Sequence, residues 1–272
     1  MSTQNRPRRS ALYFPATNAK AIAKARSLPT DIVIIDLEDS VAPELKVEAR
    51  AAALAAVKEG GFGTREVAIR ANGLDTEWGL DDLAAIATSG ADAVLVPKVS
   101  SPADIETCSC IPRLDAIAAM AHTTRLSLWV MGVNDLAKEM RARLTPERTP
   151  FLPVLTLAVA AARAHGVAIL DGVCNEFRNV DAFRAEAEQG VLFGFDGKSL
   201  IHPDQIVPCN EAFSPGEEEL RWARAVIDAF KQPEAAGKGA IKVEGKMVEL
   251  LHLYQAKQLV AVADMIAASA AA

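Results

Sequence analysis

The sequence has little of what marks a secreted, membrane-bound or nucleic-acid-binding protein. It has four cysteines and no Cys-x-x-Cys pair, which argues against a disulfide framework and for reduced thiols. Lys and Arg total 29 against 35 Asp and Glu, so no basic excess is left for a nucleic-acid partner. Because no apolar leader and no run of 18 apolar residues occurs, we expect no membrane span and a cytoplasmic location.

Short apolar runs alternate with helical patterns along most of the 272 residues. Such alternation predicts a parallel sheet wrapped by crossover helices, and closure of that sheet gives a (β/α)₈ TIM barrel. An open doubly wound sheet is the competing fold, and it is disfavoured because no G-x-G-x-x-G loop follows the first strand. The predicted strands are residues 11–14, 31–36, 66–70, 93–98, 126–131, 167–171 and 191–194.

The predicted strands are one short of a complete barrel, and the gap can be located. Residues 99–111 are too few for a helix and a further strand, because a crossover needs about a dozen residues before the next parallel strand begins. We therefore predict a barrel that is incomplete around strand 5. A linker of small residues over 233–239 predicts a barrel domain over residues 1–231 and a C-terminal lid or extension over residues 232–272.

Several predicted strands end in polar residues. Asp36 and Glu38 follow the second strand, Arg70 ends the third, and Asp135 follows the Gly132 break after the fifth. The carboxyl ends of barrel strands meet on one face, where such side chains reach a ligand without being buried unpaired. The sequence therefore predicts one site built from these strand ends.

Eight short motifs occur in a fixed order over most of the chain. From about Arg8 onward the chain resembles the citrate lyase β-subunit-like branch of the HpcH/HpaI aldolase and CoA-ester lyase family. The motifs that carry the resemblance are Arg9-Ser-Ala-Leu-Tyr-Phe-Pro, Asp36-Leu-Glu-Asp-Ser-Val, Ile69-Arg-Ala-Asn, Val96-Pro-Lys, Val130-Met-Gly-Val-Asn-Asp-Leu, Gly194-Phe-Asp-Gly-Lys-Ser-Leu-Ile-His-Pro-Asp-Gln, Phe213-Ser-Pro and Gly245-Lys-Met-Val.

The resemblance implies a Mg²⁺-dependent lyase that reversibly cleaves a 3-hydroxyacyl-CoA of the citryl-CoA, malyl-CoA or citramalyl-CoA type to acetyl-CoA and a 2-oxo acid. Its partners would be the CoA thioester and 2-oxo acid, and relatives form homotrimers or hexamers. Glu106 and Asp135 match the metal carboxylates, and Arg70 matches the arginine that clamps the substrate carboxylate. Asp36 and Glu38 lie where the family has residues near the metal and its waters, and a solvated turn is the alternative interpretation. Asp36 is predicted to be catalytic, together with Arg70 and Glu249. Glu249 replaces a catalytic Asp of the lid.

Further matches concern the CoA part of the substrate. Tyr13, Lys20 and Lys24 match positions that contact CoA, although a plain solvated charge is an equal interpretation for the two lysines. Lys198 and Ser199, expected beyond the last strand, are candidates for the same rim. The sequence lacks the upstream glycine of a P-loop before Gly197-Lys198-Ser199, which excludes an NTPase.

Two questions stay open at this point. Ile105-Glu106-Thr107 is either the metal motif with a truncated strand, which we favour, or the first turn of a helix without a metal ligand. The activity is either the lyase reaction, which we favour, or a malyl-CoA thioesterase in which water attacks the acyl carbon. A non-catalytic CoA-binding subunit and an aldolase that does not use CoA are the further alternatives.

Overall fold

The computed structural model describes residues 6–99 and 113–270. Nine strands and ten α-helices lie within these residues. The strands are β1 (Ser10–Pro15), β2 (Ile32–Asp36), β3 (Glu66–Arg70), β4 (Ala93–Leu95), β5 (Leu128–Val130), β6 (Ala168–Asp171), β7 (Gly197–Leu200), β8 (Ala240–Val243) and β9 (Lys246–Glu249). The helices are α1 (Ala19–Ala25), α2 (Lys46–Glu59), α3 (Gly79–Ala87), α4 (Leu114–Ala119), α5 (Val133–Met140), α6 (Leu152–Ala164), α7 (Val180–Phe193), α8 (Ile206–Ala212), α9 (Glu217–Lys231) and α10 (Leu250–Ala270).

The first seven strands form one parallel sheet that curls into a half-barrel, in the order β4-β3-β2-β1-β7-β6-β5. The predicted fold class is confirmed. Strands β4 and β5 form the two edges of the sheet, and the predicted gap at residues 99–111 lies, except for Val99, outside the described residues. Helices between successive strands make the crossovers that parallel pairing requires.

The central strands of the sheet are buried on both faces, as in other parallel sheets, whereas the edge strands β4 and β5 are only partly buried. Every residue of β2 is buried. Side chains on alternate positions point to opposite faces, so Val33 and Ile35 pack with the surrounding helices while Ile32 and Ile34 fill the interior of the curl. This alternation places Asp36, the last residue of β2, on the interior side.

One predicted strand is wrong. Residues 191–194, predicted as the last strand, instead end helix α7, and the seventh strand is Gly197–Leu200. Helix α7 buries Phe183, Ala187 and Gly190 on one face, and Leu192 is 85% exposed. Val191 and Leu192 thus lie on the outer surface of the helix, and Phe193 is half-buried against the core.

The chain divides into two compact units. One is Arg8–Phe213, which carries the parallel sheet, and the other contains Ser214–Ala272. Helix α9, which the sequence analysis assigned to the barrel, is part of the second unit. There it packs on α10 around a small core that includes Val226 and Val248. A hairpin of β8 and β9 completes this unit.

Among the described residues, no helix has both the length and the apolar character needed to cross a membrane.

Candidate active site

The site begins with two strand ends that lie side by side. Asp36 and Arg70 end β2 and β3 and are cross-strand partners in the parallel register. The Nε of Arg70 donates to Oδ1 of Asp36 at 2.6 Å, and its Nη2 donates to Oδ2 at 2.7 Å. This two-point pairing fixes the plane of the guanidinium as well as its position. The guanidinium of Arg70 is therefore fixed in position and orientation by the protein itself.

The pKa of Asp36 is lowered from its ordinary value. Burial alone would raise this pKa, but the hydrogen bonds and the charge of Arg70 outweigh it, with help from Ser40. Both carboxylate oxygens accept hydrogen bonds, and Oδ2 also accepts one from the Ser40 hydroxyl. The structure thus shows Asp36 orienting Arg70, and the catalytic role predicted for Asp36 stays a prediction.

The third nitrogen of Arg70 faces two further acids. Nη1 lies 2.9 Å from Oε2 of Glu38 and donates to Oδ2 of Asp39 at 3.2 Å. The ring of Tyr13 covers the guanidinium, with its centroid 4.9 Å from Cζ of Arg70. Burial raises the pKa of Tyr13 to about 12, so this phenol stays neutral. Asp39 is 57% exposed and is the most accessible of the three acids around Arg70.

Lys98 brings a second cation from the end of β4. Its Nζ lies 2.8 Å from Oε1 of Glu38 and 3.7 Å from Oδ1 of Asp39. The hydrogen bond to Glu38 raises the pKa of Lys98, and the charges of Asp39 and Asp135 add to that effect. We call Asp36, Glu38, Asp39, Arg70 and Lys98 the inner cluster. From the sequence, Lys98 is predicted only as the last residue of the strand over 93–98, without a role in the site.

Asp135 lies in the first turn of α5, directly after the carboxyl end of β5. It is exposed and makes no hydrogen bond or ion pair with another described residue, so its carboxylate is available to a cation. Exposed carboxylate oxygens suit Mg²⁺, which binds hard oxygen ligands. The second predicted ligand, Glu106, lies outside the described residues. Within the described part, no group of three or more His, Cys, Asp or Glu side chains could hold a metal ion.

Lys198 and Ser199 are not on the rim, because the strand that carries them begins later than predicted. Both lie within β7 and are buried. Nζ of Lys198 donates to Asp171 at 2.8 Å and to Glu186 at 2.6 Å, and Ser199 donates to a backbone carbonyl of β6. The rim placement is therefore wrong: neither polar group is presented to a ligand.

Lys198 belongs to a second group of charges, between β6, β7 and helix α7. Arg148 donates from Nη1 to both oxygens of Asp171 at 2.7 Å. Burial would raise the pKa of Asp171, but the charges of Lys198 and Arg148 hold it below its ordinary value. We call Arg148, Asp171, Glu186 and Lys198 the outer cluster.

The remaining predicted residues lie on exposed surfaces. Lys20 and Lys24 are on the exposed face of α1, which follows the carboxyl end of β1, and they form no ion pair with another described residue. Glu249 ends β9 in the second unit and is exposed, and its backbone N–H donates to Nδ1 of His252. Their predicted roles in CoA binding and catalysis stay predictions.

Comparison with known proteins confirms the resemblance inferred from the motifs. The model of the HpcH/HpaI aldolase/citrate lyase family matches residues 9–109 and 103–203. The (3S)-malyl-CoA thioesterase of Cereibacter sphaeroides is 44% identical to this chain, covering 98% of the chain and 99% of that protein. Citrate lyase subunit beta of Escherichia coli is 32% identical over 90% of each.

A solved structure shares the fold. Protein CitE from Mycobacterium tuberculosis, in complex with magnesium, acetoacetate and coenzyme A, matches with a TM-score of 0.74 and 28% identity. The match covers 94% of this chain and 98% of that one.

Proposed function

Because the chain belongs to the HpcH/HpaI aldolase/citrate lyase family, we propose that it is an enzyme that hydrolyses a malyl-CoA-type 3-hydroxyacyl-CoA with Mg²⁺. The products would be free CoA and the 3-hydroxy acid. The observation that carries this proposal is the 44% identity to a (3S)-malyl-CoA thioesterase over almost the whole of both chains. The lyase interpretation, favoured on the motifs, becomes the second candidate.

Arg70 is the group that would bind the free carboxylate of the acyl chain. Its guanidinium is fixed by Asp36 and covered by Tyr13, so little side-chain freedom remains to be lost when a ligand binds. Its Nη1 already bonds a carboxylate, that of Asp39, and the substrate carboxylate would take that place. Binding the acid at Arg70 fixes the far end of the acyl chain and so positions the thioester carbonyl.

Asp135, with Glu106, would hold the Mg²⁺ ion. When bound, the ion supplies Lewis-acid stabilisation of negative charge on substrate oxygens. The structure of CitE from Mycobacterium tuberculosis is in complex with magnesium, acetoacetate and coenzyme A. This complex supports Mg²⁺ as the cofactor of our chain, and a CoA thioester and an oxo acid as its ligands. Tyr13, Lys20 and Lys24 remain our candidates for the CoA part. A homotrimer or hexamer in the cytoplasm also belongs to the proposal.

The test supplies (3S)-malyl-CoA and Mg²⁺ and follows free thiol and 2-oxo acid in parallel. We expect thiol to appear without a 2-oxo acid, and chelation of the metal to abolish its release. Acetyl-CoA and glyoxylate formed without thiol would overturn hydrolysis and establish the lyase. CoA binding without turnover of malyl-CoA, citryl-CoA or citramalyl-CoA would instead establish a non-catalytic subunit.

The lyase remains a candidate because the citrate lyase subunit beta of Escherichia coli is also a relative, at 32% identity. In that reaction a base removes or returns a proton on the acetyl or hydroxyl group. Glu249 is our candidate for that base. Exchanging Glu249 for Asp would then increase 2-oxo acid release, whereas under hydrolysis at the inner cluster it would leave thiol release unchanged.

A further inference from the structure

One carboxylate oxygen of the inner cluster is buried without a hydrogen bond. Oε2 of Glu38 accepts none from any described residue. The Nη1 of Arg70 lies 2.9 Å away, but the hydrogen bond from Nη1 goes to Asp39. Oε2 is therefore held by its ion pair with Arg70 and still has the capacity to accept a hydrogen bond from a further donor, such as a water molecule that enters with the substrate.

The rest of Glu38 is held in place. Oε1 pairs with Nζ of Lys98 at 2.8 Å. Nζ of Lys46, itself buried, donates to the backbone carbonyl of Leu37 at 2.8 Å and to that of Glu38 at 2.6 Å. Lys98 adopts a left-handed backbone conformation with φ of 54°, which is unusual for a residue other than glycine. Side chain and main chain of Glu38 are thus both fixed, as a catalytic group requires.

Glu38 also borders space that a substrate could enter. A cavity of about 320 Å³ lies between the loop after β2 and the loop after β3. Glu38, Lys46, Trp78 and Lys98 are among its lining residues. The same carboxylate therefore lies between the arginine that would bind the acid and a cavity large enough for several waters or an acyl chain.

We propose that Glu38 is the general base of the hydrolysis, and this inference rests on the proposed function. Oε2 takes a proton from a water molecule as the water oxygen attacks the thioester carbonyl carbon. The carbon–sulfur bond then breaks, and the proton held by Glu38 passes to the leaving sulfur. The water is consumed, the acid and the free thiol are formed, and Glu38 returns to its carboxylate form.

The electrostatic surroundings suit this role. Burial raises the pKa of Glu38, while the Lys98 hydrogen bond and the Arg70 charge oppose that rise, and the Asp39 charge adds to it. A base with a raised pKa accepts a proton more readily than an ordinary surface carboxylate. Asp36 differs, because its lowered pKa and fully engaged oxygens make it a poor base.

The direct test is Glu38→Gln in the full-length protein, measured with (3S)-malyl-CoA and Mg²⁺ beside the wild type. We expect thiol release to fall 100-fold or more, on the order of what general base catalysis contributes, while the KM changes little. Glu48→Gln is the matched control, because Glu48 lies on the exposed face of α2 away from the cavity. Melting temperatures no lower than that of the wild type, and equal binding of a 2-oxo acid, would show that both variants fold.

The outcomes separate the two claims. If the wild type releases thiol and Glu38→Gln retains more than a third of its kcat, this inference is wrong and the proposed function stands. If the wild type releases no thiol, the proposed function fails and the inference fails with it.

A second readout concerns Lys98, a positioning residue that stabilises the Glu38 carboxylate. Lys98→Met removes the partner of Oε1, so the pKa of Glu38 rises and the acid limb of the kcat profile moves to higher pH. Lys98→Arg should restore most of the wild-type profile. An unshifted limb in the Met variant would contradict the role of Glu38 as base.

Discussion

The inner and outer clusters are both groups of buried charges, yet they differ in balance and exposure. In the outer cluster, two acids meet two bases, and the exposed fraction of each side chain is 15% or less. In the inner cluster, three acids meet two bases, and Asp39 and Lys98 are 57% and 41% exposed. Each cluster contains one buried side-chain atom without a hydrogen bond, Nη2 of Arg148 in the outer cluster and Oε2 of Glu38 in the inner one. The balanced, buried cluster has the features of a structural element, and the unbalanced one has an open side.

The same contrast appears in the pKa shifts. Asp171 in the outer cluster has a lowered pKa, and Lys198 has a raised one, so each stabilises the charged form of the other. In the inner cluster Asp36 behaves in the same way, but the pKa of Glu38 is raised by burial. A fold that keeps such a carboxylate gives up stability locally, which is common where a side chain has a chemical task.

The largest effect should come from breaking the outer cluster. Lys198→Met leaves Asp171 and Glu186 buried without their ammonium partner, which we expect to lower the free energy of unfolding by about 3–5 kcal/mol. Denaturant unfolding measures it. Arg184→Met is the control, because its ion pair with Glu211 is exposed on both sides and should contribute at most about 1 kcal/mol. Equal losses in the two variants would contradict the structural role of the outer cluster.

A change at Arg70 should act on function instead. Arg70→Lys keeps the charge but loses the fork that binds Asp36 and a carboxylate at once, and the two groups are not interchangeable at such a site. We expect kcat/KM for the CoA substrate to fall roughly 10- to 100-fold, as for the loss of a charge-assisted hydrogen bond. Steady-state kinetics and a melting curve test this. A variant with wild-type kcat/KM would remove Arg70 from the site.

The pH dependence of stability should distinguish Glu38 from Asp36 and Asp171. The two aspartates contribute stability that is present above their unfolded pKa of about 3.8 and lost as pH falls through the lower folded values. The contribution of Glu38 to stability has the opposite pH dependence. Its contribution is complete below 4.5 and is lost as pH rises through its raised folded pKa.

The free energy of unfolding of Glu38→Gln at pH 7 should therefore equal that of the wild type or exceed it by up to about 1 kcal/mol. That difference should vanish below pH 4.5. Denaturant unfolding at pH 7 and below pH 4.5 measures this difference in the free energy of unfolding. A large loss of stability at pH 7 would place Glu38 with the structural charges.

The smallest effect is expected at the exposed edge of the inner cluster. Asp39 is more than half exposed, so Asp39→Asn should change the free energy of unfolding by about 0.5 kcal/mol or less. Exposed Asp81 provides the comparison, since it pairs with Arg50 at 3.5 Å. A loss above about 2 kcal/mol at Asp39 alone would show that the rim of the inner cluster is structural.

Much of the fold follows from the sequence because its strands are apolar runs with polar ends. The predicted strands at residues 31–36 and 66–70 coincide with β2 and β3, and they put Asp36 beside Arg70. The seven-stranded half-barrel also agrees with the number of strands predicted from the sequence, although residues 191–194 do not form one of them.

The outer cluster could not be predicted in the same way. A strand that contains a lysine is disfavoured, because a lysine is seldom fully buried unless it is paired. Lys198 is paired through Asp171 and Glu186, which are distant in sequence. The apolar residues 191–193 gave the stronger local signal, so the strand was placed too early and Lys198 was expected on the rim. The pairing of Glu38 with Lys98 likewise joins the ends of two strands that are not adjacent, and no local pattern indicates it.

The most direct test of the proposed hydrolysis is to incubate the protein with (3S)-malyl-CoA and Mg²⁺ in water enriched in oxygen-18 and to measure the masses of the products by mass spectrometry. Water attack on the thioester predicts free CoA and malate that carries one heavy oxygen in its new carboxylate. Formation of acetyl-CoA and glyoxylate without labelled malate would contradict it.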